Sequence, residues 1–262
     1  MARLDVYMTE HGLAPSREKA KQLIADGRVT VGGRAALKPS ANVSEGDEVI
    51  VSAGRDYVGR GAYKLLRAFE VFPISAEGKK CADIGASTGG FTQVLLEKGA
   101  AMVWAVDVGH GQLDKSLIAD ERVKNCEGVN VRYLPEDFFG KEAELACCDL
   151  SFISLTQILP ALTSALPDGA EIITLIKPQF EAGRQALGKN GVVRSKKDHA
   201  ETLERLTAFF PTLGLSARGL DYSPISGGDG NIEYLAHLRK EETPSRSFDL
   251  KKLVETAFAN VR

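Results

Sequence analysis

From Gly61 onward, short apolar runs of strand length alternate with stretches of helical periodicity, and this alternation limits the fold more than any other feature of the 262-residue chain. The pattern predicts strands near Cys81–Ile84, Met102–Asp107, Val129–Leu134, Ala146–Leu150, Glu171–Ile176, Leu215–Tyr222 and Ile232–Leu238. Helices are predicted between them, including Phe91–Lys98, Ser154–Leu166 and Ala200–Pro211. Alternation of this kind implies an α/β domain built on a mostly parallel sheet covered on both faces.

The segment before Gly61 reads differently. A helix is predicted over about Arg3–His11, and a second opens at Ser16, a good N-cap, and ends at Gly27. Val29-Thr30-Val31, a Gly32-Gly33 turn and a later strand through Glu48-Val49-Ile50-Val51 complete a small α+β unit. So little apolar surface makes it an appendage rather than a self-sufficient domain. The predicted organisation is a small domain at 1–54, a linker at 55–60, a main domain at 61–240, and a peripheral helix within 241–262.

A net charge of −2 gives no global sign of nucleic-acid binding. Locally, seven bases face four acids between Arg3 and Lys38, a modest bias that a solvated helical surface would also explain. Cys81, Cys126, Cys147 and Cys148 lack metal-ligand spacing and read as buried, reduced thiols, so no metal is expected. No apolar run approaches the roughly 20 residues needed to span a bilayer. No signal-peptide pattern opens the chain either, so a cytoplasmic protein without a membrane partner is expected.

Asp83-Ile84-Gly85-Ala86-Ser87-Thr88-Gly89-Gly90-Phe91 is a glycine-rich strand-to-helix turn. A dinucleotide fingerprint would need glycine where Ser87 stands, and no phosphate-binding lysine follows the turn. What remains is an acid at the end of the first strand and a second, Asp107, followed by Val108, at the end of the next. A carboxylate there suits a ribose diol, because it accepts hydrogen bonds from both hydroxyls.

Lys64, Asp149, Lys177 and Glu233 are the candidate catalytic set. Asp149 and Lys177 close the fourth and fifth strands, at the edge where open α/β sheets bind ligands, and Pro178 keeps Lys177 extended. Glu233 interrupts an apolar strand, where a carboxylate needs a partner. Taken singly, each has a bland explanation: a solvated helix lysine, an N-cap, a rim charge. The set points to chemistry on a weakly acidic hydroxyl.

Three resemblances rest on these residues. Arg3-Leu4-Asp5, Ser16-Arg17, Gly27-Arg28-Val29-Thr30-Val31-Gly32-Gly33 and Gly46-Asp47 resemble the RNA-binding domain first described in ribosomal protein S-four, with Gly32 replacing the usual Asn. That likeness implies RNA contacts from Arg3, Ser16, Arg17, Lys19, Lys21, Arg28 and Arg34. The glycine turn with Asp107 resembles the Rossmann-like class I methyltransferases. This implies S-adenosylmethionine (AdoMet) as cofactor, bound by Asp83, Gly85 through Phe91, Asp107, Val108 and Asp149, with Asp137 at the adenine edge.

Finally, Arg60-Gly61-Ala62-Tyr63-Lys64-Leu65, Asp149-Leu150-Ser151-Phe152-Ile153-Ser154-Leu155, Ile176-Lys177-Pro178-Gln179-Phe180-Glu181 and Gly230-Asn231-Ile232-Glu233 resemble motifs of the TlyA family. These are FtsJ-like methyltransferases of ribosomal RNA ribose, some relatives of which carry a haemolysin label. Arg55-Asp56-Tyr57-Val58 departs from that family's best-known linker. The resemblance implies cytidine 2′-O-methylation in 23S and in some members 16S rRNA, ribosomal RNA or subunits as partner, and further RNA contacts from Arg60, Arg184 and Lys189. A physical mechanism is expected from the set: Lys177, beside Lys64 and partly desolvated, accepts or steers the hydroxyl proton, while Asp149 orients Lys177 and Glu233 holds Lys64 and the ribose. Two rival readings are a non-catalytic RNA-binding factor and a membrane-active haemolysin. Base methylation is a nearer rival, though a two-lysine rim suits a hydroxyl better.

Overall fold

The computed structural model describes residues 2–25, 28–32, 34–36, 38–44, 46–51, 57–188 and 190–261. Gly27, Gly33, Arg55, Asp56 and Lys189 lie outside the described residues. The chain divides into two compact units, Met1–Asp56 and Tyr57–Arg262.

The first unit contains β1 (Ala2–Arg3), α1 (Leu4–Glu10), α2 (Arg17–Ala25), β2 (Val29–Val31), β3 (Arg34–Ala35), β4 (Asn42–Val43) and β5 (Val49–Val51). β1 pairs with β4, and β2 lies between β3 and β5. Leu4 and Met8 of α1, one turn apart, pack with Ala20, Leu23 and Ile24 of α2 against Val29 and Val43. The Ser16 hydroxyl accepts the Lys19 amide at 3.2 Å, the N-cap its position predicts.

The second unit contains α3 (Ala62–Val71), β6 (Lys80–Ile84), α4 (Gly90–Glu97), β7 (Met102–Asp107), α5 (Lys115–Ile118), β8 (Val123–Glu127) and β9 (Leu145–Cys148). Then follow α6 (Leu155–Ala165), β10 (Glu171–Ile176), α7 (Pro178–Glu181), α8 (Lys196–Phe209), β11 (Leu215–Tyr222), β12 (Tyr234–Lys240) and α9 (Leu250–Asn260). Seven strands form one sheet in the order β11-β12-β10-β9-β6-β7-β8. β6 to β10 are mutually parallel, and β12 runs antiparallel to both its neighbours.

Strict alternation divides the apolar side chains between two cores. Ala82, Trp104, Ala146, Ile172 and Tyr234 face one side, with α6, α8 and α9. Cys81, Val103, Cys147, Ile173 and Leu235 face the other, with α3 and α4. A strand buried on both faces reads as a continuous apolar run, as these do.

Two expectations are corrected here. The third strand is Val123–Glu127, not Val129–Leu134. It is a half-exposed edge strand, so its pattern is mostly polar. The Val129-Asn130-Val131 run instead follows Gly128 (φ +71°), and the Asn130 side chain accepts the Arg132 amide, starting a 3₁₀ turn. Second, the last helix is not peripheral, because Val254 and Ala257 of α9 are buried in the main core.

Candidate active site

The sheet delivers the site residues to one edge. β7 ends at Asp107, while Gly85, Asp149 and Lys177 directly follow the last residues of β6, β9 and β10. β12 is antiparallel, so it begins where β10 ends: Ile176 pairs with Tyr234, bringing Glu233 beside Lys177. Glu233 therefore precedes its strand rather than interrupting it. Lys64 comes from the first turn of α3, whose Ala62, Leu65 and Ala68 anchor the helix in the core.

The four side chains form a row of alternating charge. Lys64 Nζ lies 2.7 Å from Glu233 Oε2 and donates to Asp149 Oδ2 at 3.0 Å, while Lys177 Nζ lies 2.6 Å from Asp149 Oδ1. Glu233 is 2% exposed and each lysine 7%, so alternation is what makes the burial tolerable. Burial works against the charged form of Lys64, but the pull of Asp149 and Glu233 outweighs it and raises the lysine's pKa. Burial likewise pushes the Asp149 carboxyl up, yet Lys64 and Lys177 together hold it below the usual carboxylate range. Both groups stay ionised at neutral pH. Lys177 ends the row, with Ser151 Oγ as a further acceptor at 3.1 Å.

These groups line a cleft of about 450 Å³ with Gly85, Ala86, Ser87, Thr88, Gly90 and Phe91. The turn is held tightly. Gly85 has φ +86°, and a Cβ there would sit 2.8 Å from the Asp149 carbonyl oxygen. Gly89 has φ +97° and presses against Leu113 and Leu117. Ser87 (φ +47°) adopts the left-handed region that glycine favours, and its amide donates to Asp107 Oδ2 at 2.8 Å.

A second cavity of about 190 Å³ shares Gly85 and Ser151 with the first. Val108, Val131, Leu150 and Ile153 form its apolar walls, with Asp107 and Asn130 supplying polar edges.

Not every expected residue lies here. Asp83 lines neither cavity; it is fully buried, accepts the Thr92 amide (2.8 Å) and hydroxyl (2.6 Å), and secures the helix after the turn. Asp137 is exposed in a later turn, and Asn130 lines the cavity instead. In the first unit, Arg3 and Arg17, both half exposed, converge on the fully buried Asp5, with contacts of 3.1 and 2.8 Å. Lys21 pairs with Glu18 at 2.6 Å. Lys19 and Arg28 are half-buried, and Arg34 lies on β3. Arg60 lines the main cleft and Arg184 is exposed.

Sequence reasoning missed Ser151, Gln179, Phe152 and Phe180, all lining the main cleft. Phe152 is 90% exposed with φ +65°, an unusual backbone for a bulky residue, and its ring lies 5.1 Å from that of Phe180. Their only signal was position, beside Asp149 and Lys177.

Residues 57–240 match the FtsJ-like methyltransferase model, more than half of the chain. The chain belongs to that family. Residues 2–49 match the S4 domain. The chain is 47% identical over 238 residues to YqxC of Bacillus subtilis, covering 90% of this chain and 85% of that protein. It is 43% identical over 242 residues to the 16S/23S rRNA (cytidine-2′-O)-methyltransferase TlyA of Mycobacterium tuberculosis, covering 92% and 90%. A solved structure from Streptococcus thermophilus that carries the hemolysin name is 44% identical, with a TM-score of 0.77 over 99% of this chain and 96% of that one.

An FtsJ-like methyltransferase draws its methyl group from AdoMet, and the two joined cavities suit that molecule. The smaller offers an apolar slot with a carboxylate at its edge, fit for an adenine ring and a ribose diol. The Gly85 backbone, where a side chain could not fit, leads from it into the charged cleft.

Proposed function

We propose that this chain is an AdoMet-dependent ribosomal RNA 2′-O-methyltransferase acting on cytidine ribose in 23S rRNA, with 16S rRNA as a second substrate. The observation that carries this reading is the buried row Glu233–Lys64–Asp149–Lys177 beside the apolar slot that Asp107 and Asn130 edge. The named activity of the M. tuberculosis relative supplies the nucleotide and the RNA classes.

AdoMet supplies an electrophilic methyl group; the chain's own residues manage the acceptor. A ribose 2′-hydroxyl is a weak nucleophile, so most of the gain comes from holding its oxygen aligned at about 3 Å. In its neutral form Lys177 Nζ, at the end of the row, takes the hydroxyl proton as the oxygen acquires the methyl group; in its charged form it can only donate to and steer that oxygen. Asp149, ionised, orients Lys177 through its 2.6 Å contact. Lys64, protonated, spaces the two carboxylates and donates toward the ribose. Asp107 and Asn130 hold the nucleoside end of the cofactor, and Asn130 takes over the adenine-edge role first assigned to Asp137.

A paired nucleotide must be extruded before its 2′-oxygen reaches Lys177, at a cost of a few kcal/mol. Phe152 and Phe180 offer aromatic faces at the cleft for the displaced base. Phosphate contacts from Arg3, Arg17 and the neighbouring bases of the first unit offset that cost and make binding salt-dependent. Such an enzyme works in the cytoplasm, where ribosomal RNA is. The membrane-active reading gains no support: among the described residues no helix is long and apolar enough to cross a bilayer. Mapping ribose methylation in rRNA from cells with and without this protein tests the proposal. Loss of a 2′-O-methylcytidine supports it, and an unchanged map overturns it.

A further inference from the structure

Two loops carry the charged row, and a second set of contacts laces them together. Residues 149–155 follow β9, and residues 177–181 follow β10. Asp149 and Ser151 contact Lys177, and the Phe152 ring leans on Phe180. Beyond the cleft, Glu181 Oε2 accepts the Ser154 hydroxyl at 2.8 Å, and its Oε1 accepts the Leu155 amide at 2.7 Å. The lacing keeps register, running from the reacting end at Asp149–Lys177 to Ser154–Glu181.

Glu181 stands out because its side chain is only 2% exposed and yet lines neither cavity. Its countercharge is Arg205 of α8, half exposed, whose Nη2 donates to the Glu181 carbonyl at 2.7 Å and to its Oε2 at 3.3 Å. One carboxylate therefore caps α6, anchors the far end of the Asp149 loop and is itself pinned from a third element. Between the two anchors, Ser151 and Ser154, lies Phe152 with its left-handed backbone. Such a conformation persists only where its surroundings over-determine it.

We propose that Glu181 is a positioning residue for methyl transfer. It acts through the loop it holds, fixing Asp149 and Ser151 against Lys177 and holding Phe152 at the cleft, without touching cofactor or RNA. The inference rests on the catalytic reading of Asp149 and Lys177 given above. A misplacement of about 1 Å at the reacting groups is enough to cost on the order of 100-fold in rate. Neutralising Glu181 also leaves the Arg205 guanidinium without its countercharge while the glutamine still fills the site.

The test is single-turnover methyl transfer to rRNA by the full chain carrying Glu181→Gln, with AdoMet affinity, KM for RNA and melting temperature measured alongside. The expected result is a rate lower by roughly 10- to 100-fold, with AdoMet affinity and KM within about twofold of wild type. Arg205→Gln should lower the rate in the same direction but less. Ser154→Ala also removes the cap on the Thr156 amide, so combined with Glu181→Gln it should lose less than the sum of the two single losses, because the two share the Ser154–Glu181 contact. A wild-type rate for Glu181→Gln overturns the inference. So does a rate loss matched by equal losses in AdoMet affinity and melting temperature, which would mark general destabilisation. Lys177→Ala, run in parallel, separates the two levels. If Lys177→Ala keeps its rate, the catalytic reading itself fails; if it is inactive while Glu181→Gln is normal, only the role of Glu181 is lost.

Discussion

Lys177 Nζ lies 2.6 Å from Asp149 Oδ1, and the two residues follow adjacent parallel strands, β10 and β9. The contact exists because parallel neighbours end at the same edge of a sheet. β12, running the other way, brings Glu233 to that edge from its starting end, and α3 adds Lys64 from above one face. Four elements distant in sequence thus place two cations and two anions in alternation, an order that a like-charged lysine pair could not maintain on its own.

Asp149→Asn should be costly in both stability and rate. It removes the carboxylate that bridges Lys64 and Lys177, the one ion-pair partner of Lys177 among the described residues, in a buried site. Breaking such a pair costs on the order of 3 kcal/mol, well above a surface ion pair. Urea denaturation checks the first part and single-turnover methyl transfer the second. An unchanged midpoint would contradict the account of the row.

Gly85→Ala should weaken AdoMet binding by about tenfold or more, because the left-handed backbone and the 2.8 Å approach to the Asp149 carbonyl both oppose a Cβ. Calorimetric titration of AdoMet gives the answer directly. Normal affinity would mean that the turn has room it does not show.

Asp83 predicts a pH signature in stability. Burial pushes its carboxyl from the ordinary 3.8 up to about 7, against the lowering effect of the Thr92 hydrogen bonds. Between those two values the folded protein binds a proton that the unfolded chain has released, so this group's contribution to stability falls as pH rises through the window. Asp83→Asn lacks that term and keeps an acceptor for the Thr92 amide. The melting temperature of the variant minus that of wild type should therefore grow from pH 4 to pH 7 and then level off. A flat difference would mean the buried carboxyl is stabilised by partners beyond Thr92.

Arg17→Ala should lower affinity for rRNA and flatten its salt dependence by about one unit of log–log slope, leaving AdoMet affinity unchanged. Arg17 is held outward by the buried Asp5, whose carboxyl the hydrogen bonds from Arg3 and then Arg17 bring down to about 2. Filter binding over a salt series measures both quantities. An unaltered slope would remove Arg17 from the phosphate contacts.

How much of this was legible in the sequence follows from what each feature depends on. Strands such as Glu171–Ile176 announce themselves because both faces are buried. The edge strand Val123–Glu127 did not, since its side chains meet solvent and its apolar neighbours belong to the next turn. Asp149 and Lys177 were legible as polar residues closing apolar strands and Glu233 as a carboxylate within an apolar run, while Lys64, on a helix, was legible only as a member of the set. Glu181 was not, because its partners at Ser154, Leu155 and Arg205 lie more than twenty residues away and no local pattern marks a capping group supplied from a distance. The left-handed backbones of Ser87 and Phe152 were equally silent, both being imposed by tertiary contacts on residues that ordinarily avoid them. Asp137 lies exposed in a later turn and lines neither cavity, whereas Asn130, just before the 3₁₀ turn, lines the smaller one.

The most direct measurement is transfer of labelled methyl from AdoMet to rRNA by the purified full-length protein and by Lys177→Ala, with the modified nucleoside identified by mass spectrometry. The account predicts 2′-O-methylcytidine from the wild-type protein, and a loss of roughly 100-fold or more in rate for the variant, with AdoMet affinity unchanged. A methyl group found on a base, or a Lys177→Ala enzyme that works at the wild-type rate, would contradict it.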